Sequence, residues 1–371
     1  MHSSRVSLLQ AASIAIIVSI FIVSCSEDDK SVAPTHQYAW ASLGSGMNGR
    51  VSYCTVYGNK LIAGGDFTNA GGVGASSIAA WGGSSWAPLG AGIWGALFNI
   101  TPYDSKLIAG GVFDSAGVVA ANSIAAWDGS SWFPLGTGVD AVGPWAGVLA
   151  QTVYDNKLIV GGDFDSAGGL SANRIAAWDG LAWSLISTGM SHNVSALTVY
   201  GNKLIAGGSF DSAGGVEAHS IAAWDGLSWE PLGAGVAGKY GWVFALTVYD
   251  NKLIVGGIFD SAGGVAANNI AAWDGSSWAA LGAGITGTFS DVNALTTFNN
   301  RLVVGGYFLT AGGVNASHIA TWDGSSWAPL GMGMNAEVRT LTVYGNRLIA
   351  GGDFETAGGV NVNYIAAWGL Q

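Results

Sequence analysis

Carboxylates are the side chains through which this chain could most readily do acid–base or metal chemistry. In the run Asp163–Gly169 two of them stand two residues apart, a spacing that occurs in oxygen-ligated metal sites. Only Asp353 and Glu355 repeat the pair, and the distant bidentate Glu of a calcium loop is missing, so we interpret these acids as turn or loop caps. The histidines are scattered without ligand spacing. The sequence therefore predicts no metal and no cofactor.

No catalytic nucleophile or base stands out. No sequence context groups a Ser, a His and an Asp, so no catalytic residue is assigned. Better candidates are aromatic and acidic residues that interrupt an otherwise regular chain, because aromatic rings in variable loops suit sugar or peptide partners. The predicted ligand-binding residues are Trp94, Asp140, Trp145, Tyr240, Trp242 and Asp291.

The regular element of the chain is a repeat of about 50 residues. A basic residue, an aliphatic run, Gly-Gly and then Phe one residue further on recur seven times. The copies start at Lys60, Lys106, Lys157, Lys203, Lys252, Arg301 and Arg347. Such a period is typical of stacked or radial repeat folds.

Each repeat is predicted to form four short antiparallel strands, named a to d in chain order. In the fourth copy, strands a and b are Val194–Tyr200 and Lys203–Phe210, joined by a two-residue Gly-Asn turn. Strands c and d are Ser220–Trp224 and Ser228–Leu232. Four such strands make one blade of a β-propeller, so we expect an all-β, seven-bladed propeller.

The two ends of the repeat region predict a closed ring. The segment Tyr38–Gly44 matches strand d, whereas the last repeat stops after strand c at Trp368. We therefore expect the N-terminal strand to pair into the last blade, which removes an exposed sheet edge. Residues 38–371 form the predicted propeller domain.

The fourth copy resembles the kelch repeat, through Leu204–Gly208, Trp224–Gly226, Trp229 and Leu232. The repeats are also similar to those of fungal cortical cell-polarity marker proteins. The resemblance covers about residues 38 to 371 and departs from common kelch repeats in having Ala-Ala-Trp where a Tyr is usual before the Asp. It implies a propeller that binds partners, as most kelch-like proteins do, although a minority are enzymes.

The N-terminal segment predicts export and lipid anchoring. Residues 1–24 combine Arg5 with an apolar run, as secretory signal peptides do. Cys25 follows Ser24 in an arrangement that resembles the lipobox of bacterial lipoproteins, whose Cys is acylated, with an uncleaved signal anchor as the alternative. Residues 25–37 are then the lipidated Cys and a flexible tether. We expect a cell-envelope protein that is exported by the general route and held at the outer membrane or cell surface by its lipid alone.

Composition excludes several other classes. The net charge of −11 and pI near 4.6 argue against nucleic acid as a partner. The 59 Gly residues argue against long helices, and two Cys cannot build a disulfide framework. Cys54 occupies a strand-a core position and is expected to be buried, while Gln151, at the same position of another repeat, is expected to line the central channel. We expect a monomer.

The two faces of the predicted disc differ in character. The uniform face carries the a–b and c–d turns, where the basic residue of strand b is expected to pair weakly with the Asp that follows strand c. The variable face carries the b–c and d–a loops, which differ from copy to copy and hold all six ligand-binding candidates. Strand d starts on the uniform face at Tyr38, so we expect the variable face to point away from the membrane.

The functional hypothesis is a membrane-tethered, extracytoplasmic binding or scaffold module. Its partner is a protein or a glycan, recognised by the variable d–a and b–c loops. A hydrolase or lyase acting on polysaccharide, with acids gathered at the channel mouth, is the alternative in a different class. A purely structural envelope protein is a third possibility, and binding is favoured over catalysis.

Overall fold

The computed structural model describes residues 37–140, 143, 146–238 and 240–370. They form a seven-bladed β-propeller in which each blade is a sheet of four antiparallel strands, as predicted. Strands a of neighbouring blades contact one another and surround the central axis. Among the described residues, no helix is long and apolar enough to span a membrane.

The strand bounds of blades 1 to 7 follow the repeat, and the ends predicted for the fourth copy are correct to within two residues. Strand a is Val51–Tyr57, Ile93–Tyr103, Val148–Tyr154, Val194–Tyr200, Trp242–Tyr249, Ala294–Phe298 and Val338–Tyr344. Strand b is Lys60–Gly65, Lys106–Ala116, Lys157–Gly162, Lys203–Gly208, Lys252–Ile258, Arg301–Gly305 and Arg347–Gly352. Strand c is Ile78–Trp81, Ile124–Trp127, Ile175–Trp178, Ile221–Trp224, Ile270–Trp273, Ile319–Trp322 and Ile365–Leu370. Strand d is Trp86–Pro88, Trp132–Pro134, Trp183–Leu185, Trp229–Pro231, Trp278–Ala280, Trp327–Pro329 and, in blade 7, Tyr38–Ser42.

The variable face is built from small ladders. Each b–c loop folds into a two-residue hairpin: Asn69–Ala70 with Val73–Gly74, the end of strand b with Val119–Ala120, Ser166–Ala167 with Leu170–Ser171, Ser212–Ala213 with Val216–Glu217, Ser261–Ala262 with Val265–Ala266, Thr310–Ala311 with Val314–Asn315, and Thr356–Ala357 with Val360–Asn361. In three blades the preceding d–a segment adds a strand: Val139–Asp140, Val236–Ala237 and Ile285–Thr286. The loops of this face are therefore ordered by backbone pairing.

The paired Gly of strand b is explained by close approach on two sides. A Cβ on Gly207 would lie 2.5 Å from Cγ1 of Val243 in the next blade. A Cβ on Gly208 would collide with the backbone oxygen of Asn193 in its own blade. Because real Cβ atoms do not approach that closely, only Gly fits at these two positions.

Neighbouring blades share their hydrophobic cores. One core combines Ile205 and Ile221 of blade 4 with Leu253 and Trp278 of blade 5, and six similar cores complete the set within the described chain. In six blades the strand-d Trp also donates its Nε1–H to a carbonyl of the preceding blade, for example Trp278 to Leu232 at 2.8 Å, whereas the buried Nε1 of Trp229 in blade 4 has no partner within the described structure. Each blade is thus fixed to the one before it.

The N-terminal strand closes the ring as predicted. Tyr38–Ser42 pairs antiparallel with strand c of blade 7, and Trp40 lies opposite Trp368 with ring centroids 5.2 Å apart. The Trp40 side chain is buried in the core between blades 6 and 7, and its Nε1 lies 3.4 Å from the carbonyl oxygen of Leu330. The first described strand therefore performs the role that strand d has in the other blades.

The expected pairing of strand-b cations with the Asp after strand c is wrong. In the described chain these carboxylates instead accept hydrogen bonds from backbone N–H groups of their own c–d turn, for example Asp274 from Ser276 at 2.8 Å and from Ser277 at 2.7 Å. These bonds hold the pKa of Asp274 well below its usual range. The nearest donors are the backbone N–H groups two and three residues further along the chain. The Asp carboxylate therefore binds within its own turn and not to the flexible Lys of strand b.

Tyrosine hydroxyls link the a–b turns around the uniform face. The Tyr that ends strand a donates to a backbone carbonyl in the a–b turn of the next blade, as Tyr57 does to Ser105 at 2.7 Å. The same bond is made by Tyr103, Tyr154, Tyr200, Tyr249 and Tyr344. Blade 6 has Phe298 at this position and cannot make it.

Phe298→Tyr is expected to stabilise the protein. The new hydroxyl would reach the carbonyl of Asn346, the counterpart of the acceptors in the other blades, and contribute about 0.5–1.5 kcal/mol. The urea midpoint should rise in this variant. In the reverse control, Tyr200→Phe, it should fall. Equal midpoints for both variants and the wild type would show that the hydroxyl bonds do not stabilise the ring.

Trp40→Ala is expected to lower the free energy of unfolding by about 3–5 kcal/mol, because it removes a buried indole from the closing strand. Trp94→Ala is the control, since that side chain is 63% exposed, and should change stability by no more than about 0.5 kcal/mol. Urea unfolding followed by Trp fluorescence measures both. A Trp40→Ala variant as stable as the control would contradict closure through this strand.

Candidate functional site

A cavity of about 220 Å³ lies where all seven strands a meet, on the propeller axis. The second residue of each strand-a repeat unit lines it, and these residues are Ser52, Phe98, Leu149, Ser195, Phe244, Asn293 and Arg339. They are called the mouth ring, because the strands enter from the variable face at this level. The ring does not follow the repeat: its blade 6 and blade 7 members are polar, whereas those of blades 2, 3 and 5 are apolar.

The polar side of the mouth ring continues into a charged network between blades 6 and 7. The Asn293 Nδ2 donates to Asp291 Oδ1 at 2.9 Å and to Glu337 Oε1 at 2.7 Å. Arg339 donates to Glu337 Oε2 at 2.8 Å and to Asp353 at 2.9 Å. The Asn293 amide therefore bridges Asp291 and Glu337, and the Arg339 guanidinium bridges Glu337 and Asp353.

Burial raises the pKa values of two carboxyl groups in this network. It raises the pKa of Glu337 to about 7, against the opposing charge of Arg339 and with the help of Asp291 and Asp353. Burial also raises the pKa of Asp291, although that carboxylate accepts a hydrogen bond from the Tyr307 backbone N–H at 2.7 Å. The Glu337 side chain is only 17% exposed. The network therefore holds an acid that changes its protonation near neutral pH.

An aromatic ladder flanks the network in blade 5. The rings of Tyr240 and Trp242 have centroids 4.9 Å apart, and those of Trp242 and Phe244 are 6.2 Å apart. Tyr240 and Trp242 are 44% and 38% exposed, while Phe244 belongs to the mouth ring. The ladder thus leads from the outer surface to the cavity.

Two of the remaining candidates, Trp94 and Asp140, lie apart from this site. Trp94 is on blade 2, opposite Ser115, and is 63% exposed. Asp140 accepts a hydrogen bond from the Ser166 hydroxyl at 2.8 Å and pairs with the blade 3 hairpin, so its contacts are structural. Trp145 and the predicted lipidation site Cys25 lie outside the described residues.

Three of the predicted ligand-binding residues, Tyr240, Trp242 and Asp291, lie at this site, whereas their partners were not predicted. Phe244, Asn293, Glu337 and Arg339 were not among the predicted ligand-binding residues. Aligning the second residue of every strand-a unit would have revealed Phe244, Asn293 and Arg339, because Phe, Asn and Arg stand there in place of one repeated type.

The two blade 3 carboxylates at metal-like spacing, Asp163 and Asp165, are bound by an Arg of the same chain. Arg174 forms ion pairs with Asp165 and, at 3.4 Å, with Asp163, so these carboxylates do not cap a turn as expected. No group of three or more His, Cys, Asp or Glu side chains within the described residues could hold a metal ion.

Negative charge is concentrated on the variable face. Its described carboxylates are Asp66, Asp114, Asp140, Asp163, Asp165, Asp211, Glu217, Asp260, Asp291, Glu337, Asp353 and Glu355. In the same described loops the Lys and Arg residues are Arg50, Arg174 and Arg339, each ion-paired to an Asp. The face therefore has an excess of anions that its own cations do not balance.

Comparison with known proteins supports the fold class. Residues 155–176 and 250–271 match a family described as a domain of unknown function (DUF5122) β-propeller. No curated protein matches the sequence. The structure is similar to the WD40 β-propeller domain of Doa1, with 14% identity, a TM-score of 0.54 and coverage of 91% of this chain and 98% of that one.

Two further structures share the fold at low identity. The computationally designed Ika8 protein has 16% identity and a TM-score of 0.51, with 87% of this chain and 97% of that chain covered. The extracellular domain of the putative hybrid two-component system BT4673 from B. thetaiotaomicron has 10% identity and a TM-score of 0.55, with 90% and 39% covered. The chain is thus a β-propeller, and these similarities establish its fold alone.

Glu337→Gln is expected to flatten the pH dependence of stability. With a pKa of about 7 in the folded state and 4.5 in the unfolded state, Glu337 keeps a proton on folding in this interval. The wild type should therefore lose stability as the pH rises from 4.5 to 7, by at most about 3 kcal/mol from this group.

Urea unfolding at about pH 5 and pH 8 measures this difference. Glu230→Gln, at an exposed carboxylate of the uniform face, is the control and should keep the wild-type pH dependence. If Glu337→Gln and Glu230→Gln lose the same stability between the two pH values, Glu337 does not hold a proton in the folded state.

Proposed function

We propose that this protein is a membrane-tethered, extracytoplasmic binding module that recognises a protein or glycan on its variable face. The observation that carries the proposal is the mouth ring, where a sevenfold scaffold presents five different residue types at seven equivalent positions. Partners are bound by loops and pockets that differ from a regular scaffold, whereas packing positions keep their residue types. The adjoining aromatic ladder and charged network supply the contacts that protein and glycan partners use.

The proposed orientation of the module is supported by the position of its first strand. The Tyr38 hydroxyl lies 3.2 Å from Asn299 Nδ2 in an a–b turn, on the uniform face. A tether that ends at Gln37 and begins at an acylated Cys25 would leave from this side. The variable face would then be turned toward the medium and its partner. The extracellular setting of the structurally similar BT4673 domain is compatible with such a location.

Hydrolysis of a polysaccharide is a second candidate, favoured by one observation. Glu337 and Asp291 share the amide of Asn293, and the pKa of Glu337 is raised to about 7. Glycoside hydrolysis uses two neighbouring carboxyl groups, of which the one with the raised pKa protonates the leaving oxygen and the other activates water. Release of reducing ends from soluble polysaccharides, abolished in Glu337→Gln, would support this activity, and no release by the wild type would exclude those substrates.

The binding function is tested with residues 37–371, which include the compact unit that holds all seven blade cores. Glycan arrays and capture of envelope proteins should give a partner for the wild type. Replacing Tyr240 and Trp242 by Ala should weaken binding about tenfold or more, because both rings are exposed on the variable face.

Leu227→Ala is the matched control, since this side chain is 89% exposed on the uniform face. It should bind as the wild type does. Equal loss in both variants, or binding that depends on Leu227 alone, would contradict the assignment of the variable face. A wild type without any partner would favour a purely structural role.

A further inference from the structure

We infer that Leu181 and Leu227, at the tips of two c–d turns on the uniform face, insert into the lipid bilayer and hold the propeller with this face on the membrane. The inference rests on the proposed membrane tethering and goes beyond the expectation that the lipid alone holds the protein. It is carried by two exposed leucines with no role in the fold, by their place in the ring opposite the first strand, and by the different charges of the two faces.

Leu181 and Leu227 interrupt the repeat at one of its most regular turns. The c–d turns of blades 2, 5 and 6 read Asp-Gly-Ser-Ser, whereas those of blades 3 and 4 have Leu in place of the first Ser. The two leucines are 91% and 89% exposed, so neither contributes to the core between blades. A single exposed Leu needs no explanation, but these two occupy equivalent positions in neighbouring blades.

The change from Ser to Leu does not stabilise the turn. In blade 5 the Ser276 hydroxyl donates to Asp274 Oδ1 at 2.9 Å, and the equivalent Ser of blades 2 and 6 makes the same bond. A Leu cannot make this hydrogen bond, and its side chain gains nothing from folding when it stays in water. The two leucines therefore suit an apolar phase outside the chain better than they suit the folded protein in water.

The turns present these side chains on a fixed backbone. Asp179 Oδ1 accepts hydrogen bonds from the backbone N–H groups of Leu181 at 2.9 Å and of Ala182 at 2.8 Å. Blade 4 repeats both bonds around Leu227. Because each turn is already held by its own carboxylate, little backbone freedom is lost when the tip enters a bilayer.

The ring places the two leucines at the edge of the disc opposite the predicted tether. The first strand, which starts at Tyr38, belongs to blade 7. In a closed ring of seven, the blades farthest from blade 7 in the two directions are blades 3 and 4. A tether at one edge alone would leave the disc free to swing, whereas apolar contacts at the opposite edge would keep its face parallel to the bilayer.

Charge favours the uniform face for this contact. Its described residues include the seven Lys and Arg of strand b and nine carboxylates, of which three are in a–b turns, five in c–d turns and one on strand d. The described variable face has three cations against twelve carboxylates. Because anionic headgroups repel an excess of acids, the uniform face can approach a membrane with less electrostatic repulsion.

The separation of the two tips suits a bilayer. Leu181 and Leu227 stand on turns of different blades, so a protein partner would need a separate apolar pocket for each. The acyl region of a bilayer takes up apolar side chains at any point of its plane, and two tips on one face of a disc can enter it together.

The test uses the full-length protein with its lipid, in vesicles of phosphatidylethanolamine and phosphatidylglycerol. Ser228→Cys places a dye beside Leu227, at a position where blade 3 has Ala182. Cys54 is buried and an acylated Cys25 has no free thiol, so the new Cys is labelled selectively. Lipids that carry a nitroxide just below the headgroup should quench this dye.

Leu181→Ser combined with Leu227→Ser copies the turns of blades 2, 5 and 6. The pair should lower the quenching constant about threefold or more, while the melting temperature stays unchanged or rises. Leu309→Ser is the matched control, because this Leu is 63% exposed on the variable face. It should leave the quenching unchanged.

Several outcomes overturn the inference. One is that nitroxide lipids do not quench the dye at Ser228→Cys, and another is that quenching persists in the Leu-to-Ser pair, which would leave the tether as the whole attachment. A third is that a dye at Leu309→Cys is quenched instead. Capture of a soluble protein that depends on Leu181 and Leu227 would make the tips a protein site.

The membrane contact and the binding function fail separately. If residues 37–371 bind a partner through Tyr240 and Trp242 in solution and the dye is not quenched, the binding function stands and the membrane contact does not. If the dye is quenched but no partner binds, the membrane contact stands without the proposed recognition. A full-length chain without a lipid on Cys25 would overturn the tether and the membrane contact together.

Discussion

The contact between strand b and the neighbouring strand a is the constraint on which the ring depends. In every blade the first Gly of the Gly-Gly pair receives an aliphatic side chain from the next blade, as Gly207 receives Val243 and Gly351 receives Val51. The last of these contacts joins blade 7 to blade 1. A methyl group at any of these Gly would force two blades apart. The seven Gly residues therefore allow neighbouring blades to pack at the distance that sets the inner radius of the ring.

Blade 7 is therefore joined to blade 1 or to the N-terminal strand by two contacts, one near the axis and one at the outer edge of the ring. The packing of Val51 on Gly351 closes the inner wall, and the pairing of Tyr38–Ser42 with strand c of blade 7 closes the outer edge. Outside blade 4, the strand-d Trp ties the outer edge of its blade to the preceding blade, and the first residue of each strand-a unit packs against a Gly of the preceding blade. This division leaves part of strand a free of packing requirements, and the mouth ring occupies that part.

The repeat in the sequence predicted the fold but not the candidate site. The Gly-Gly pair, the four-strand period and the match of Tyr38–Gly44 to strand d were enough for the fold, because each signal recurs or completes a pattern. The Asp–Lys pairing failed because a carboxylate contacts its own turn first. The blade 6–7 network could not be assembled from sequence, since Asp291, Glu337 and Asp353 belong to separate stretches and meet only through the side chains of Asn293 and Arg339.

A backbone irregularity explains why the mouth ring can vary. In six strands a, the pairing with strand b shifts register around the second residue of the unit, as between Val194 and Ala196. Such a bulge leaves that residue out of the ladder and re-aims its side chain, here to the channel. A position with no ladder partner and no blade to pack against tolerates Ser, Phe or Arg at little cost to the ring. The sevenfold repeat thus stabilises the fold. At the bulge the residue can differ from blade to blade, and an asymmetric site can form there.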